Sequence, residues 1–361
     1  MSHYEERLEN DLARVRDAVD SLATAVLAAL RSALRAVLDG DDEIAHETVI
    51  GDHPINRDSR EIDRLCHAFI ARHLPGAGHL RLMSSIIRAN VALERVGDYA
   101  VTISRESLQM SEPPPTRVAK QMQSLGDQAI QLLENSVAAF TEGNADAARA
   151  LMSIPAQLES GMDDIYESLI DKAKKRRLRE TVSEFVILSL LKRVSDQAKN
   201  ICDQTVFSAS GEIKPTKHFT ILFVDKTNDN LSRMAEAIGT KRYGDDATFV
   251  SAGSEPADAI DPALISFLDD RGIALGDEPP RDLATLEDRM QSIDIIIRVG
   301  KMDGEVMENL PFHTSAFRWK TTEPKKKAGD DQKAEVLKDN FRFLSLKIED
   351  LMQTLIGADA D

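Results

Sequence analysis

An internal repeat constrains the fold of this chain more than any other feature of its sequence. Residues 93–103 read LERVGDYAVTI, and residues 191–201 read LKRVSDQAKNI. The two stretches align without a gap at an offset of 98 residues, and they share apolar residues at helical spacing. This repeat indicates a duplicated helical unit in which each copy carries one motif helix.

Apolar residues recur at three- and four-residue steps through the first 212 residues and predict six long helices. The predicted ranges are about 3–39, 41–73, 79–110, 116–141, 145–174 and 180–208. Pro113–Pro115 forms a stiff break between the first three helices and the last three. We therefore predict two tandem three-helix bundles, at residues 1–112 and 116–212.

The pattern changes after residue 217, where short apolar, β-branched runs alternate with helical segments. The runs predict buried parallel strands at residues 219–224, 247–251 and 293–299, with a fourth at 312–318. Helices are predicted between and after them, at residues 232–238, 262–271 and 336–355. This alternation predicts a doubly wound α/β domain over residues 217–361.

Charge and cysteine content limit where the protein acts and what it binds. The net charge of −16 argues against non-specific binding to nucleic acid. The two cysteines, Cys66 and Cys202, give no disulfide framework and favour a reducing compartment. We see no signal sequence, nor the run of about 20 apolar residues that spans a bilayer, so we predict a cytoplasmic protein. The basic run at residues 174–179 is either a solvated loop or a patch for a partner or lipid headgroup.

Glu94 and Asp98 lie four residues apart, which places both carboxylates on one helix face. Carboxylates about 5 Å apart repel by about 3 kcal/mol at an effective dielectric constant near 20, so a cluster needs protonation, a basic partner or a cation. Oxygen ligands suit hard cations. The site is therefore either a metal site or an acidic ridge neutralised by arginines. The neighbouring helices offer further oxygen ligands: Asp52, Asn56, Asp63, Glu159, Asp163 and Asp164.

The second copy of the motif differs at one charge. Lys192 stands where the first copy has Glu94, and it brings a positive charge to the helix face that a cation would occupy. We predict that Lys192 forms a salt bridge with Asp196 there. The first half should therefore bind a divalent cation more readily than the second.

Residues 1–212 resemble the PhoU family of phosphate-signalling regulators, which is built from two similar three-helix halves. Glu94 and Asp98 match the family's first Glu/Asp-x-x-x-Asp motif, and Asp196 and Asn200 match the later positions of the second. Lys192 and Thr102 depart from the pattern. The resemblance implies a site for a divalent metal (Fe, Mn, Mg, Zn or Ca), with these candidate ligands: Glu94, Asp98, Asp52, Asp63 and Asp196.

The same resemblance implies how the protein acts. PhoU proteins restrain a phosphate-sensing histidine kinase and the phosphate ABC transporter ATPase by binding them rather than by catalysis. We therefore expect a regulator of phosphate uptake and phosphate-responsive signalling that forms a homo-oligomer such as a dimer. A cytoplasmic position, including one peripheral to the inner face of the membrane, fits that role.

Residues 221–237, ILFVDKTNDNLSRMAEA, resemble the low-molecular-weight protein tyrosine phosphatase and arsenate reductase family. That family has a strand, then Cys-x5-Arg-Ser, then Met-Ala-Glu-Ala. Further matches follow in order: Ser251-Ala252-Gly253, Pro262, Arg271-Gly272-Ile273, Trp319 and Glu323-Pro324. The resemblance implies that Asp225 replaces the nucleophilic cysteine and that Leu231 replaces the phosphate-binding arginine, whereas Asn228 and Ser232 are retained.

These replacements predict a degenerate anion loop formed by Asp225, Asn228, Leu231 and Ser232, in a docking or sensing domain without catalytic activity. Lys226 is expected to offset part of the Asp225 charge. One alternative is an enzyme with Asp225 as nucleophile, although haloacid-dehalogenase-like phosphatases need a second Asp where this chain has Thr227. Another alternative is a metal-binding protein of phosphate or metal homeostasis.

Overall fold

The computed structural model describes residues 3–155, 177–212, 217–276, 278–300, 310–311, 313–322 and 329–357. The chain divides into two compact units, Met1–Lys214 and Pro215–Asp361. The first unit is helical and the second is α/β, so the predicted fold classes are confirmed.

The helical unit is built from long amphipathic helices whose apolar faces are buried. Its described helices are α1 (His3–Asp39), α2 (Asp42–His73), α3 (Ala77–Ser107), α4 (Thr116–Glu142), α5 (Ala145–Leu151) and α6 (Leu178–Ser210). Local signals set several ends: the Asp41 side chain accepts a hydrogen bond from the backbone N–H of Ile44 at 3.0 Å, and Gly143 and Gly211 end α4 and α6 at positive φ.

One hydrophobic core runs through both repeats of this unit. Leu30 of α1, Leu93 of α3, Leu133 of α4 and Leu191 of α6 belong to the same buried cluster. The two motif helices, α3 and α6, pack against each other. The repeats are therefore separate in sequence but share their core.

Gly126 allows α4 to pack closely on α1. A Cβ atom at this position would lie only 2.5 Å from Leu34 Cδ2, which is closer than real Cβ contacts. The contact joins the first helix of each repeat, and a side chain at residue 126 would require the Leu34 side chain to move.

The predicted fifth helix is interrupted, which corrects the sequence interpretation. α5 ends at Leu151, residues 152–153 form a turn, and Ile154 and Pro155 are helical again. Proline lacks the N–H that would bond to the Leu151 carbonyl, so it fits the first turn of a new helix better than a helix interior. The rest of the predicted helix, residues 156–174, lies outside the described residues.

α1 is the one described helix that is long and apolar enough to cross a membrane. Half of its most apolar window is buried against the rest of the unit. Core residues such as Leu22, Val26 and Leu30 account for that apolar character. Core helices of soluble proteins share this length and apolar character, so α1 alone is weak evidence for a membrane span.

The α/β unit contains a four-stranded parallel sheet with the strand order β2-β1-β3-β4. Its strands are β1 (Phe219–Asp225), β2 (Ala247–Gly253), β3 (Ile295–Val299) and β4 (Ser315–Trp319). Its helices are α7 (Leu231–Tyr243), α8 (Pro262–Asp269), a 3-10 helix (Leu283–Ser292) and α9 (Asp330–Ile356). Residues 221–225 of the central strand are buried throughout, as expected when both faces of a parallel sheet are covered.

The topology places one loop at the position where ligands usually bind in such sheets. The chain passes from β1 to β2 on one side, and β3 then pairs with β1 on the other side. The strand order therefore reverses at the carboxyl end of β1, which is occupied by Asp225. Residues 226–230 leave this point and lead into the first turn of α7.

Candidate functional site

The carboxylates of Asp52, Glu94 and Asp98 lie near one another where α2 packs against α3. Gly97 makes this approach possible, because a Cβ atom there would lie 3.2 Å from Ile55 Cγ2 and 3.8 Å from Asp52 Oδ1. Burial raises the pKa of Glu94, and the charges of Asp98 and Asp52 raise it further. The pKa of Asp98, the most exposed of the three, is raised by partial burial and by the Asp52 charge.

One oxygen atom of Asp52 has no hydrogen-bond partner within the described part of the chain. Its Oδ2 accepts a hydrogen bond from Asn56 Nδ2 at 2.5 Å, whereas its buried Oδ1 accepts none from the described residues. Arg95 and Arg60 lower the pKa of Glu94 but do not reverse the net increase. The cluster thus combines carboxylate repulsion with an unused oxygen acceptor.

The structure does not bring all five predicted metal ligands together. Asp63, three turns further along α2, accepts a hydrogen bond from Asn90 Nδ2 at 3.0 Å. Asp196 lies on α6, in the second repeat. No group of three or more His, Cys, Asp or Glu side chains among the described residues has the spacing of a formed metal site. Asp52, Glu94 and Asp98 therefore interact through their charges without standing at ligand distances.

The second copy of the motif contains the predicted salt bridge. Lys192 Nζ lies 3.4 Å from Asp196 Oδ2. Ser195 replaces Gly97 at the repeat-equivalent position, and its hydroxyl donates to the carbonyl of Lys192 at 2.6 Å. The acidic candidates from the predicted fifth helix, Glu159, Asp163 and Asp164, lie outside the described residues.

In the α/β unit, the Asp225 carboxylate occupies the interior of the loop that follows β1. Its Oδ1 accepts the backbone N–H of Asn228 at 2.6 Å, and its Oδ2 accepts that of Ser232 at 2.8 Å. The residue is only 6% exposed. Burial raises the pKa of Asp225, although the hydrogen bonds from Ser232 and Asn228 oppose that increase. Backbone donors of this kind are typical of anion-binding loops, and here a side chain of the chain itself uses them.

Asn228 holds the loop in shape from within. It is fully buried and has a φ of +50°, a backbone region that Asn tolerates better than most residues. Its Nδ2 donates to Ser232 Oγ at 2.9 Å and to Ser251 Oγ at 2.7 Å, and its Oδ1 accepts the backbone N–H of Arg281 at 2.7 Å. These bonds join the loop to α7, to β2 and to the segment before the 3-10 helix.

Two further residues near the loop, Leu231 and Lys226, make their contacts away from the Asp225 carboxylate. Leu231 packs against the core of the unit and lies close to Gly300. Lys226 Nζ pairs with Glu255 at 3.1 Å on the surface. The expectation that it offsets part of the Asp225 charge stays a prediction. The predicted match at Glu323-Pro324 lies outside the described residues.

Sequence reasoning missed a buried ion pair next to the loop. Arg233 is 3% exposed and lies 3.1 Å from Glu236 Oε2, which also accepts the Ser251 hydroxyl at 2.6 Å. The i, i+3 spacing of Arg233 and Glu236 was visible in the sequence. The burial of Arg233 was not visible, because it depends on the segment around residues 278–281.

Neither cysteine of the chain belongs to the α/β unit. Both are buried in the helical unit, where burial raises the pKa of Cys66 to about 12 and also raises the pKa of Cys202. Such thiols are poor nucleophiles because little thiolate is present near neutral pH.

Known protein families match both units of the chain. The PhoU domain matches residues 19–107 and 122–205, and the low molecular weight phosphotyrosine protein phosphatase family matches residues 220–336. The chain therefore carries a PhoU domain in its N-terminal part, followed by a domain of the low-molecular-weight phosphatase family.

Individual relatives agree with the first of these matches. A phosphate-specific transport system accessory protein PhoU homolog of Pseudomonas putida is 27% identical over 58% of this chain and 83% of its own length. The homolog of the same name from Pseudomonas aeruginosa is 25% identical over 66% of this chain and 96% of its own length. The crystal structure of the phosphate transport system regulatory protein PhoU from Streptococcus pneumoniae superimposes with a TM-score of 0.54 at 25% identity, over 58% of this chain and 99% of that one.

Proposed function

We propose that this chain restrains phosphate uptake and phosphate-responsive signalling by binding components of the phosphate transport system. The supporting observation is that the PhoU domain matches both helical repeats and that the relatives are named as accessory proteins of that system. The proposed partners are a phosphate-sensing histidine kinase and the transporter ATPase, met at the cytoplasmic face of the membrane.

Complementation tests this proposal. The full chain is expressed in a bacterium that lacks its own PhoU protein, and phosphate uptake is measured in phosphate-replete medium. We expect uptake to fall, and we expect the tagged chain to co-purify with the kinase or the ATPase. The control is Leu188→Asp, which places a charge at a fully buried position of the helical core and should abolish both effects. Unchanged uptake together with no co-purified partner would contradict the regulatory role.

We also propose that the α/β unit acts as a docking or sensing module without phosphatase activity. A phosphate ester would have to compete with the Asp225 carboxylate for the N–H groups of Asn228 and Ser232. At the position that the family resemblance assigns to an arginine, Leu231 contributes an apolar side chain. Both the covalent step and the stabilisation of the oxyanion would then lack their usual groups.

The competing proposal is an enzyme that uses Asp225 as its nucleophile. It requires a carboxylate that can leave its two backbone donors and reach a substrate, although Asp225 is 6% exposed. Hydrolysis of 4-nitrophenyl phosphate by the full chain separates the two proposals. We expect no turnover; turnover that disappears in Asp225→Asn would overturn the non-catalytic role.

Finally, we propose that a divalent cation draws Glu94, Asp98 and Asp52 together to ligand distances, which these carboxylates do not have on their own. Their donors are all oxygen atoms, which fit a hard cation, and Asp52 Oδ1 is a buried acceptor without a hydrogen bond from the described residues. Elemental analysis of the purified full chain should find metal that is lost in the double variant Glu94→Ala/Asp98→Ala. The variant Asp196→Ala, in the second repeat, is the control and should keep it. Metal that persists in the double variant would contradict the assignment.

A further inference from the structure

A cavity of about 600 Å³ opens beside β2, the edge strand of the sheet. Its lining residues come from β1, α7 and β2, from residues 274–276, 278 and 281, and from the 3-10 helix with Ile293 after it. The volume lies within the range of about 300–1,000 Å³ that is typical of small-molecule sites. Asp225 does not line this cavity, so it is distinct from the interior of the loop after β1.

The walls of the cavity are about half apolar and half polar. Phe249 and Leu275 contribute to its lining from the core on one face of the sheet. Val250, Leu286 and Ile293 contribute from the smaller core on the other face. Apolar surface from two cores therefore lines part of a space that is large enough for an aromatic or aliphatic group.

A buried arginine forms part of the cavity lining. The Arg233 guanidinium donates to the backbone carbonyl of Pro279 at 2.8 Å and to that of Glu278, and it pairs with Glu236. Its Nε–H is buried and has no hydrogen-bond partner among the described residues. An unpaired buried donor is costly, and a ligand acceptor would remove that cost.

Among the described residues that line the cavity, one arginine is left without an ion pair. Arg233 pairs with Glu236, and Arg281 pairs with Glu278. Arg289, an exposed residue of the 3-10 helix, lines the same cavity and has no ion-pair partner among the described residues. A net positive lining in a chain of net charge −16 favours a negatively charged ligand.

We propose that this cavity binds a small organic anion that has an apolar body and one carboxylate or phosphate head. The body packs against Phe249, Leu286 and Ile293, and the head pairs with Arg289 beside Arg281. This inference deepens the sensing role proposed for the α/β unit and rests on it for its biological purpose, but the binding itself is tested independently.

The cavity is also connected to the loop after β1. Glu236 accepts the Ser251 hydroxyl, and Ser251 in turn accepts from Asn228 Nδ2. The backbone N–H of Arg281 donates to Asn228 Oδ1. A ligand that moves Arg281 or Glu236 would therefore act on the residue that holds the loop in shape.

The test uses 8-anilinonaphthalene-1-sulfonate, a fluorescent probe with an aromatic body and one anionic head, added to the full-length protein. We expect saturable binding at one site. Arg289→Glu should weaken it about tenfold or more, as expected when an attractive charge becomes repulsive. Arg289→Lys should retain most of the affinity. Thr240→Trp, an exposed lining residue on α7, should weaken binding by filling the space.

Arg35→Glu is the matched control, because Arg35 is an exposed arginine that lines a cleft of about 580 Å³ in the helical unit. Circular dichroism confirms that each variant is folded. The proposal is overturned if the wild-type protein shows no saturable binding. It is also overturned if Arg289→Glu and Thr240→Trp bind like the wild type, or if Arg35→Glu alone loses the probe.

Competition identifies the head group that the cavity prefers. We expect 1-naphthoate or 1-naphthyl phosphate to displace the probe, and the stronger competitor shows whether the head is a carboxylate or a phosphate. Displacement by neither would contradict the proposed ligand class. Release of 1-naphthol in the same samples reports hydrolysis, so a failure of the non-catalytic role is seen separately from a failure of ligand binding.

Discussion

The carboxylates of the helical unit and the carboxylate of the α/β unit occupy opposite kinds of environment. Asp225 is buried, and each of its oxygens accepts a backbone N–H. Glu94 and Asp98 are less buried and lie close to the charge of Asp52. The Asp225 site is closed by its own side chain. The cluster of Glu94, Asp98 and Asp52 instead keeps an unsatisfied negative charge.

This difference shows that carboxylate count alone does not define a cation site. A single carboxylate surrounded by fixed N–H donors already has its partners, so an additional ligand must displace it. Carboxylates that crowd together without donors are stabilised by a cation instead. The following predictions test this contrast, beginning with the largest expected effect.

Asn228→Ala should damage the closed site most. The change removes three hydrogen bonds to buried groups and leaves a less tolerant residue at positive φ, so we expect a loss of about 3 kcal/mol in the unfolding free energy of the α/β unit. Calorimetry of the full chain measures the loss. Asn200→Ala, at an exposed position of α6, is the control and should change little. Equal effects of both changes would mean that Asn228 does not hold the loop.

Asp225→Ala should open the closed site. We expect a loss of about 2 kcal/mol, because two backbone donors lose their acceptor while the cost of burying the carboxylate disappears. Inorganic phosphate should then raise the unfolding temperature of the variant by binding to the vacated donors, and it should leave this transition of the wild type unchanged. Asp258→Ala, in the exposed loop after β2, is the control. Equal stabilisation of wild type and variant by phosphate would show that the carboxylate does not close the loop.

Glu94→Gln combined with Asp98→Asn should stabilise the helical unit in the presence of a chelator, by up to about 1 kcal/mol, because repulsion between partly solvated carboxylates is removed. The folded pKa of Glu94 is raised above its ordinary 4.5, so the native state keeps its proton longer than the unfolded state. Wild-type stability should therefore fall as pH rises from about 4.5 through the folded pKa. The double variant should lose that part of the slope in denaturant titrations.

Glu61 is expected to contribute a pH dependence of stability that is opposite to that of Glu94 in the same denaturant titrations. Its hydrogen bond with Arg64 lowers its pKa, so its contribution is present above its ordinary pKa and is lost as pH falls. Glu61→Gln should therefore leave the decline above pH 4.5 intact. A double variant at Glu94 and Asp98 that also leaves this decline intact would show that these carboxylates do not repel each other.

Asp196→Asn should have the smallest effect. The salt bridge with Lys192 is partly exposed, and such pairs contribute about 0.5 kcal/mol or less. Unfolding of the full chain in urea measures the change at 0.05 M and 0.5 M salt, and it should shrink at the higher salt. A loss well above 1 kcal/mol would mean that the second repeat depends on this pair more than the repeat comparison indicates.

Much of the fold was predictable because its signals are local. The 98-residue repeat and the helical spacing of the apolar residues around Leu93 and around Leu191 predicted one motif helix in each repeat. The apolar run at residues 219–224 predicted the central strand. The interruption of the fifth helix was missed, although Pro155 marks it, because the apolar spacing continues through the turn.

The candidate sites were only partly predictable. Spacing alone placed Glu94 and Asp98 on one face, and the charge of Lys192 predicted its pairing with Asp196. The repeat did not reveal that Asp63 would bond to Asn90 rather than join the cluster. In the α/β unit, the sequence did not reveal the partner of Lys226, because Glu255 lies 29 positions further along the chain.

The sequence by itself determined which residues stand at the key positions: an acidic pair at Glu94 and Asp98, a lysine at 192 and an aspartate at 225. These identities follow from residue order and short-range spacing. Only the tertiary structure decided what those charges meet, because burial and hydrogen bonding depend on segments distant in the chain. The Asp225 carboxylate lies inside its loop because Asn228 is fixed by Ser251 and by the backbone of Arg281, contacts that form only when the sheet is assembled.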